Sequence, residues 1–394
     1  MKLLIYSHAF APQIGGVETY ALHLARGLAT LDAGKAKRVT VVTQSPQKNF
    51  DDSAMPFAIV RRPGIMQLRK LIRESDVVHL AGPVIMPLIL ALLARKPIVV
   101  EHHGYQASCP NGLLLYQPTK SACPNHYMRN EFSACLKCNA SESGSLASVK
   151  MLMLTPLRRW LCRRVNVNLC ITNHVAQRIE LPHSQVVYYG IPEPLTTEIV
   201  SAAKQITPTS PLSIGFLGRL VEEKGVPTLI EAMHMLRDKK DRVSLTIIGD
   251  GPQRPMLESM AREKNAFRPA ISFAGSLQGE KLSAALANVD VLVMPSLNEE
   301  PAGLVVMEQM ISGCPVIVSD HGGGPELAGD SGLKFPPGNA AALAACLRQL
   351  ADDPALLREL GIRAKNRATA VFSLDRMIEE HYRIFEKLVA EAKQ

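Results

Sequence analysis

The sequence predicts an α/β protein built from two parallel-sheet domains. Two observations carry that expectation. Short apolar runs alternate with amphipathic helical segments in both halves of the 394-residue chain, and this is the βαβ rhythm of a parallel sheet covered by helices. The rhythm breaks at Ile191-Pro192-Glu193-Pro194 and in the polar stretch behind it, then restarts.

In the first half, Lys2–Tyr6, Arg38–Thr43, Val77–Leu80, Pro97–Glu101 and Val165–Ile171 read as short buried strands. Glu18–Leu31 reads as a helix, with Leu22, Ala25, Leu28 and Ala29 on one face. The apolar run Pro83–Ala94 is shorter than the roughly 20 residues a membrane span needs, so a buried helix is expected. Pro208 and Pro211 mark the linker, placed at 193–211. In the second half, Leu212–Leu217, Ser244–Ile248, Ala270–Phe273, Val289–Met294 and Pro315–Val318 read as strands. Leu374–Ala390 reads as a long amphipathic helix with Ile378, Tyr382, Phe385 and Leu388 in one stripe. The expected domains are therefore 1–192, interrupted by a polar insertion at 104–145, then 212–373, with 374–394 as a terminal helix. No internal repeat or long low-complexity tract appears.

Composition is that of a water-soluble globular chain, 47% apolar and 20% charged. Charge is uneven. Residues 1–192 hold 22 Lys/Arg against 10 Asp/Glu, and the remainder holds 22 against 26. A basic first half suits an anionic partner such as a membrane surface or a phosphate-bearing acceptor, or is simply a solvated face. Met1–Tyr6 is too short for a signal peptide, which points to the cytoplasm and to cysteines that are reduced or metal-bound.

The segment Asn298–Glu308 carries the most chemistry. A strand ending near Ser296 leads into a turn with Glu300 and Gly303, then a helix that contains Glu308. Free backbone N–H groups at such a helix start, at Gly303 and Leu304, suit phosphate oxygens. Carboxylates on either side can hold hydroxyl groups, so the pattern suggests a nucleotide joined to a sugar. In the block Gly215–Gly225, Arg219 and Lys224 sit on one loop after a strand, and Pro227 marks the next helix start. Two cations there can stabilise a departing diphosphate. Gly15-Gly16 lies between the first strand and first helix, where glycine permits close backbone approach to phosphate. His102 and His103 end a strand before Gly104.

Together, Glu300-x7-Glu308, Gly313-Cys314-Pro315, Gly323-Gly324-Pro325-Glu326, the Gly215–Gly225 block and Ile14-Gly15-Gly16-Val17-Glu18 resemble the GT4 family of retaining glycosyltransferases, in one order from Met1 to about Leu388. The resemblance implies the GT-B fold, two Rossmann-like parallel-sheet domains facing across a cleft. The first would bind an acceptor, the second a nucleotide sugar, and the terminal helix would cross back to the first. It implies Arg219 and Lys224 at the diphosphate, Gly15, Gly16, Gly303 and Leu304 at phosphates, Glu308 at the ribose, and Glu300 and His103 at the transferred sugar. The Gly249-Asp250-Gly251-Pro252 turn, with Phe273-Ala274-Gly275, would lie near the base. It implies no catalytic metal. Ala302 stands where the family usually has an aromatic, which leaves the donor open.

Cys109, Cys123, Cys135 and Cys138 follow a C-x13-C-x11-C-x2-C spacing inside the insertion. Four thiolates can complete a structural zinc tetrahedron that ties such a segment together; free thiols and disulfides are the alternatives. Cys162, Cys170, Cys314 and Cys346 sit among apolar residues and read as core thiols.

Val149–Val165 mixes the sole Trp, at position 160, and Met and Leu residues with Lys150, Arg158, Arg159, Arg163 and Arg164. It reads as a packed helix or as a peripheral membrane-binding face. The function expected is transfer of a sugar from a UDP- or GDP-sugar to a saccharide or lipid-linked acceptor, in cell-envelope polysaccharide synthesis. The alternatives are a nucleotide-sugar epimerase and a non-enzymatic basic adaptor. Nucleic acid is not an expected partner, since no nucleic-acid motif is present, and Gly-x-Gly-x-x-Gly is missing after the first strand.

Overall fold

A computed structural model describes residues 1–13, 15–31, 38–48, 50–192, 211–239, 242–262 and 270–394. The expected linker, 193–211, lies outside the described residues apart from Pro211, as does Ile14. The chain divides into two compact units. One comprises Met1–Leu114, Pro124–Gly190 and Phe372–Gln394; the other comprises Leu115–Cys123 and Ile191–Val371.

The first unit is built on a seven-stranded sheet in the order β3-β2-β1-β4-β5-β8-β9. Its strands are β1 (Lys2–Ser7), β2 (Arg38–Thr43), β3 (Ala58–Arg61), β4 (Val77–Ala81), β5 (Ile98–His102), β8 (Val167–Cys170) and β9 (Ser184–Val186), and every pairing is parallel. The inner strands β4, β5 and β8 are buried at every position, as a parallel sheet covered on both faces requires. The second unit has a six-stranded parallel sheet in the order β12-β11-β10-β13-β14-β15. These are β10 (Leu212–Leu217), β11 (Val243–Ile248), β12 (Ala270–Gly275), β13 (Val291–Met294), β14 (Val316–Ser319) and β15 (Gly332–Phe335). Its core joins Ile214, Phe216, Leu229, Ile247, Val293 and Leu347.

In the two large sheets three strands lie beyond those expected: β3, β9 and β15. All three are sheet edges. An edge strand is half covered, so it carries no continuous apolar run, and Ala58–Arg61 and Ser184–Val186 have no fully buried position. The insertion is also more regular than its polar composition suggested. It contains a short antiparallel hairpin, β6 (Leu115–Tyr116) with β7 (Ser121–Ala122), and a helix, Phe132–Ser143.

The terminal helix, Leu374–Glu391, packs within the first unit. Ser373 caps it by accepting from the Arg376 N–H at 3.4 Å. Ile378, Tyr382, Phe385 and Leu388 are buried, and His381 and Met377 share their face. The helix Gly16–Thr30 receives it at Gly27, where a Cβ would lie 1.9 Å from Ile378 Cδ1. Glycine there lets the two helices approach.

Candidate functional site

In the second unit the loops that follow β10, β11, β13 and β14 meet at the carboxyl ends of the strands, on both sides of the β10–β13 pair where chain order reverses. Open parallel sheets bind ligands at this position. The loop after β10 passes through a short 3-10 turn, Glu222–Lys224, into the helix Val226–His234. Gly225 joins them at φ 64, a left-handed conformation. A Cβ on Gly225 would stand 2.0 Å from the Pro295 carbonyl oxygen. The Leu297 N–H donates to the Glu223 carbonyl at 2.8 Å, which laces the loop after β10 to the loop after β13.

This lacing brings together two of the expected site residues. Lys224 Nζ donates to Glu300 Oε2 at 2.6 Å, with both side chains largely shielded. Ser296 Oγ reaches the same oxygen at 3.4 Å. The Glu300 carbonyl accepts from the Gly323 N–H at 2.7 Å, and His321 Nε2 donates to the Leu297 carbonyl at 3.0 Å, so the loop after β14 is tied in as well. The Asn298 side-chain oxygen is buried and unbonded.

Arg219 stands differently. Its side chain is 74% exposed and reaches Glu223 at 3.5 Å. Gly303 caps the helix Leu304–Ile311, whose first amides point from the same loop that holds Glu300. Glu308 lies one turn along, half-buried, its carboxylate without a hydrogen bond or ion pair among the described residues, and burial pushes that carboxyl above the usual range. The Gly249–Pro252 turn packs on the loop after β10. Leu220 N–H donates to the Asp250 carbonyl at 2.9 Å, and Gln253 N–H donates to the Leu220 carbonyl at 3.1 Å. Lys120, in the β6–β7 hairpin, pairs with Glu222 at 3.0 Å, a neighbour that the sequence did not reveal.

In the first unit β5 ends at His102 and His103 follows it, the two in different surroundings. His102 is fully buried, with Nε2 2.9 Å from Asn168 Oδ1 on β8. His103 has its Nδ1 2.6 Å from Tyr189 Oη, while its Nε2 is buried and has no partner. Desolvation lowers both imidazoles to about 4, so both are neutral at pH 7. Tyr20, Tyr189, Glu101 and His381 surround this point and were missed by the sequence reading. Glu101 had a signal, a carboxylate at the end of an apolar run. His381 had another, a polar residue in the apolar stripe of its helix. Gly15 has extended backbone at φ 178, and a Cβ there would lie 2.4 Å from the Glu18 carboxylate, so Glu18 fills the space beside it. Gly16 opens the helix.

The insertion's four cysteines are buried. Cys109 Sγ donates to Asn111 Oδ1 at 3.1 Å, and Asn111 Nδ2 reaches Cys138 Sγ at 3.8 Å. Cys123 falls in the second unit, the other three in the first. Among the described residues no group of three or more His, Cys, Asp or Glu side chains is placed to hold a metal ion. The donor set, four thiols, suits zinc chemically. Burial pushes the Cys162, Cys170 and Cys314 thiols up to about 12, as inert core residues.

Two open parallel sheets, with phosphate-type loops at the strand ends of the second, define the class: a GT-B α/β protein. Known proteins agree. The sequence pattern described as Glycosyltransferase Family 4 matches residues 14–192, and that described as Glycosyl transferases group 1 matches 211–353. The chain belongs to the GT4 glycosyltransferases of GT-B fold. It is 37% identical over 166 residues to a glycogen synthase of Mycobacterium tuberculosis, covering 42% of this chain and 40% of that protein. It is 25% identical over 350 residues, 82% of each chain, to a GDP-mannose-dependent alpha-(1-6)-phosphatidylinositol monomannoside mannosyltransferase of the same species. The matches to the first of these relatives thus span well under two thirds of their length. Among solved structures, Anabaena HepE in complex with UDP-glucose superposes with TM-score 0.72 at 16% identity, covering 98% of this chain and 100% of that one. Sucrose-phosphate synthase from Thermosynechococcus elongatus gives 0.69 at 17%, covering 99% of each.

Proposed function

We propose that this protein is a retaining hexosyltransferase that moves a sugar from a UDP- or GDP-sugar to a saccharide or lipid-linked acceptor in cell-envelope polysaccharide synthesis. The observation that carries the reading is the Lys224–Glu300 pair at the strand ends of the second unit, beside the amides of Gly303 and Leu304. In this reading Lys224 and Arg219 take the diphosphate. Glu300, released from Lys224 by the phosphates, turns to the sugar hydroxyls, and Glu308 holds the ribose. The leaving diphosphate departs on the face from which the acceptor attacks, so no nucleophilic carboxylate is needed. Cations and helix amides act where charge develops, which is where electrostatic stabilisation contributes most. His103, neutral with a free Nε2, has the hydrogen-bonding capacity to meet the transferred sugar. The related mannosyltransferase and the UDP-glucose complex of HepE support a nucleotide-sugar donor of one base or the other.

A lipid-linked acceptor fits one further feature. On the helix Ser145–Cys162, Leu146, Val149, Met153, Leu157 and Trp160 are exposed at helical spacing. Arg158 and Arg159 turn inward to backbone carbonyls, while Lys150, Arg163 and Arg164 face solvent, and the helix has no acidic residue. Arg164 lies 3.5 Å over the Trp160 ring. A basic, aromatic-bearing apolar stripe suits peripheral contact with an anionic membrane, with the protein working at the inner, cytoplasmic face. No helix among the described residues is long and apolar enough to cross a membrane.

The deciding experiment is a thermal-shift panel of UDP- and GDP-sugars, followed by turnover with and without acceptor saccharides. Stabilisation by one nucleotide class and acceptor-dependent release of its diphosphate is the expected result. Turnover of donor without acceptor into an isomeric sugar nucleotide would establish an epimerase instead, and no stabilisation by any of them would leave an adaptor.

A further inference from the structure

The interior of the first unit holds ionisable groups that the proposed chemistry does not use. The Glu101 carboxylate is fully enclosed. Its Oε2 accepts a short hydrogen bond from Tyr20 Oη. The same oxygen lies 3.3 Å from His381 Nε2 and 3.2 Å from His79 Nε2. His381 Nδ1 is 2.8 Å from the Met377 carbonyl, which can only accept, so that nitrogen carries a proton. His381 Nε2 also faces Tyr20 Oη at 3.0 Å. Four elements therefore meet at one carboxylate oxygen: the first helix, β4, β5 and the terminal helix. Desolvation works to raise the Glu101 pKa, but His381 and His79 oppose it and hold the carboxyl well below its usual range.

Tyr20 carries this anchor to His103. Its ring centroid lies 4.9 Å from that of His103 and 5.1 Å from that of Tyr189. His103 sits against both tyrosine rings, stacked on Tyr189 and bonded to its hydroxyl through Nδ1. Its Nε2 is left buried and unpartnered. The ring cannot swing without displacing Tyr20, and Tyr20 cannot move without breaking its bond to Glu101. Leaving a buried polar atom open costs free energy, so the surrounding contacts must hold it in place.

We infer that Tyr20, Glu101 and His381 are positioning residues for His103, so that the terminal helix influences turnover through a side chain that touches no substrate. This rests on the assignment of His103 to the transferred sugar. The test uses the full chain with Tyr20→Phe, His381→Ala and His381→Gln. UDP-glucose and GDP-mannose serve as donor probes, and nucleotide release by hydrolysis is the assay. Tyr20→Phe and His381→Ala are expected to lower kcat at least tenfold, with donor KM within twofold and UDP or GDP affinity unchanged. His381→Gln, whose amide can still donate to Glu101, recovers most of the loss. Histidine-ring NMR without ligand is expected to give one His103 tautomer in the unmutated protein and altered His103 ring signals in both damaging variants. Wild-type kcat in those variants, losses that merely follow melting temperature and nucleotide affinity, or an unchanged His103 signal would each overturn the inference. Failure of the transferase reading looks different: the unmutated protein neither binds nor hydrolyses either donor, and the NMR comparison then decides alone.

Discussion

Gly225 lies so close to Pro295 that a single added methyl group would stand 2.0 Å from the proline's carbonyl oxygen. The contact sets the distance between the loop carrying Lys224 and the loop carrying Glu300. Gly225→Ala adds left-handed backbone strain and a backbone clash, so it should cost about 2–4 kcal/mol of stability and weaken nucleotide binding. Urea unfolding and UDP titration of the same sample check both effects. A variant as stable as the parent would show that the loops can part freely.

Lys224 and Glu300 should respond in opposite directions to loss of charge. Lys224→Ala removes a cation from the diphosphate and should weaken UDP or GDP binding roughly 10- to 100-fold. Glu300→Gln frees the lysine from its 2.6 Å partner. The nucleoside diphosphate should then bind at least as tightly as before, while sugar transfer collapses. Calorimetry with the diphosphate and turnover with the sugar nucleotide separate the two.

Stability should fall with acid before the carboxylates titrate. Desolvation holds His102 near 4 in the folded state, opposed by the Asn168 hydrogen bond, against 6.5 for a free imidazole. The unfolded chain therefore binds a proton below about 6.5 that the folded chain refuses until about 4. His102 alone should remove roughly 2 kcal/mol between pH 8 and pH 5. Denaturant midpoints across that window give the slope, and His102→Gln should flatten part of it.

The exposed stripe on Ser145–Cys162 gives a separable prediction. Replacing Met153 and Trp160, which are 68% and 49% exposed, by serine should abolish cosedimentation with vesicles containing phosphatidylglycerol. Melting temperature and UDP binding should stay within error, because these side chains have no core to lose. Retention equal to the parent would remove the membrane role.

The sequence alone determined the two sheets, their inner strands, the terminal helix and the loops after β10 and β13. Those features are local. A buried parallel strand needs a continuous apolar run, and a phosphate-type helix start needs glycine near a strand end, so both are written in consecutive residues. Only the tertiary structure decided the rest. The edge strands β3, β9 and β15 are half covered and leave no such run. The direction of each arginine on Ser145–Cys162 depended on which carbonyls lay beneath it. The meeting of Tyr20, Glu101 and His381 joins residues up to 361 positions apart, and such a contact exists only once the helix stripe has docked on the sheet.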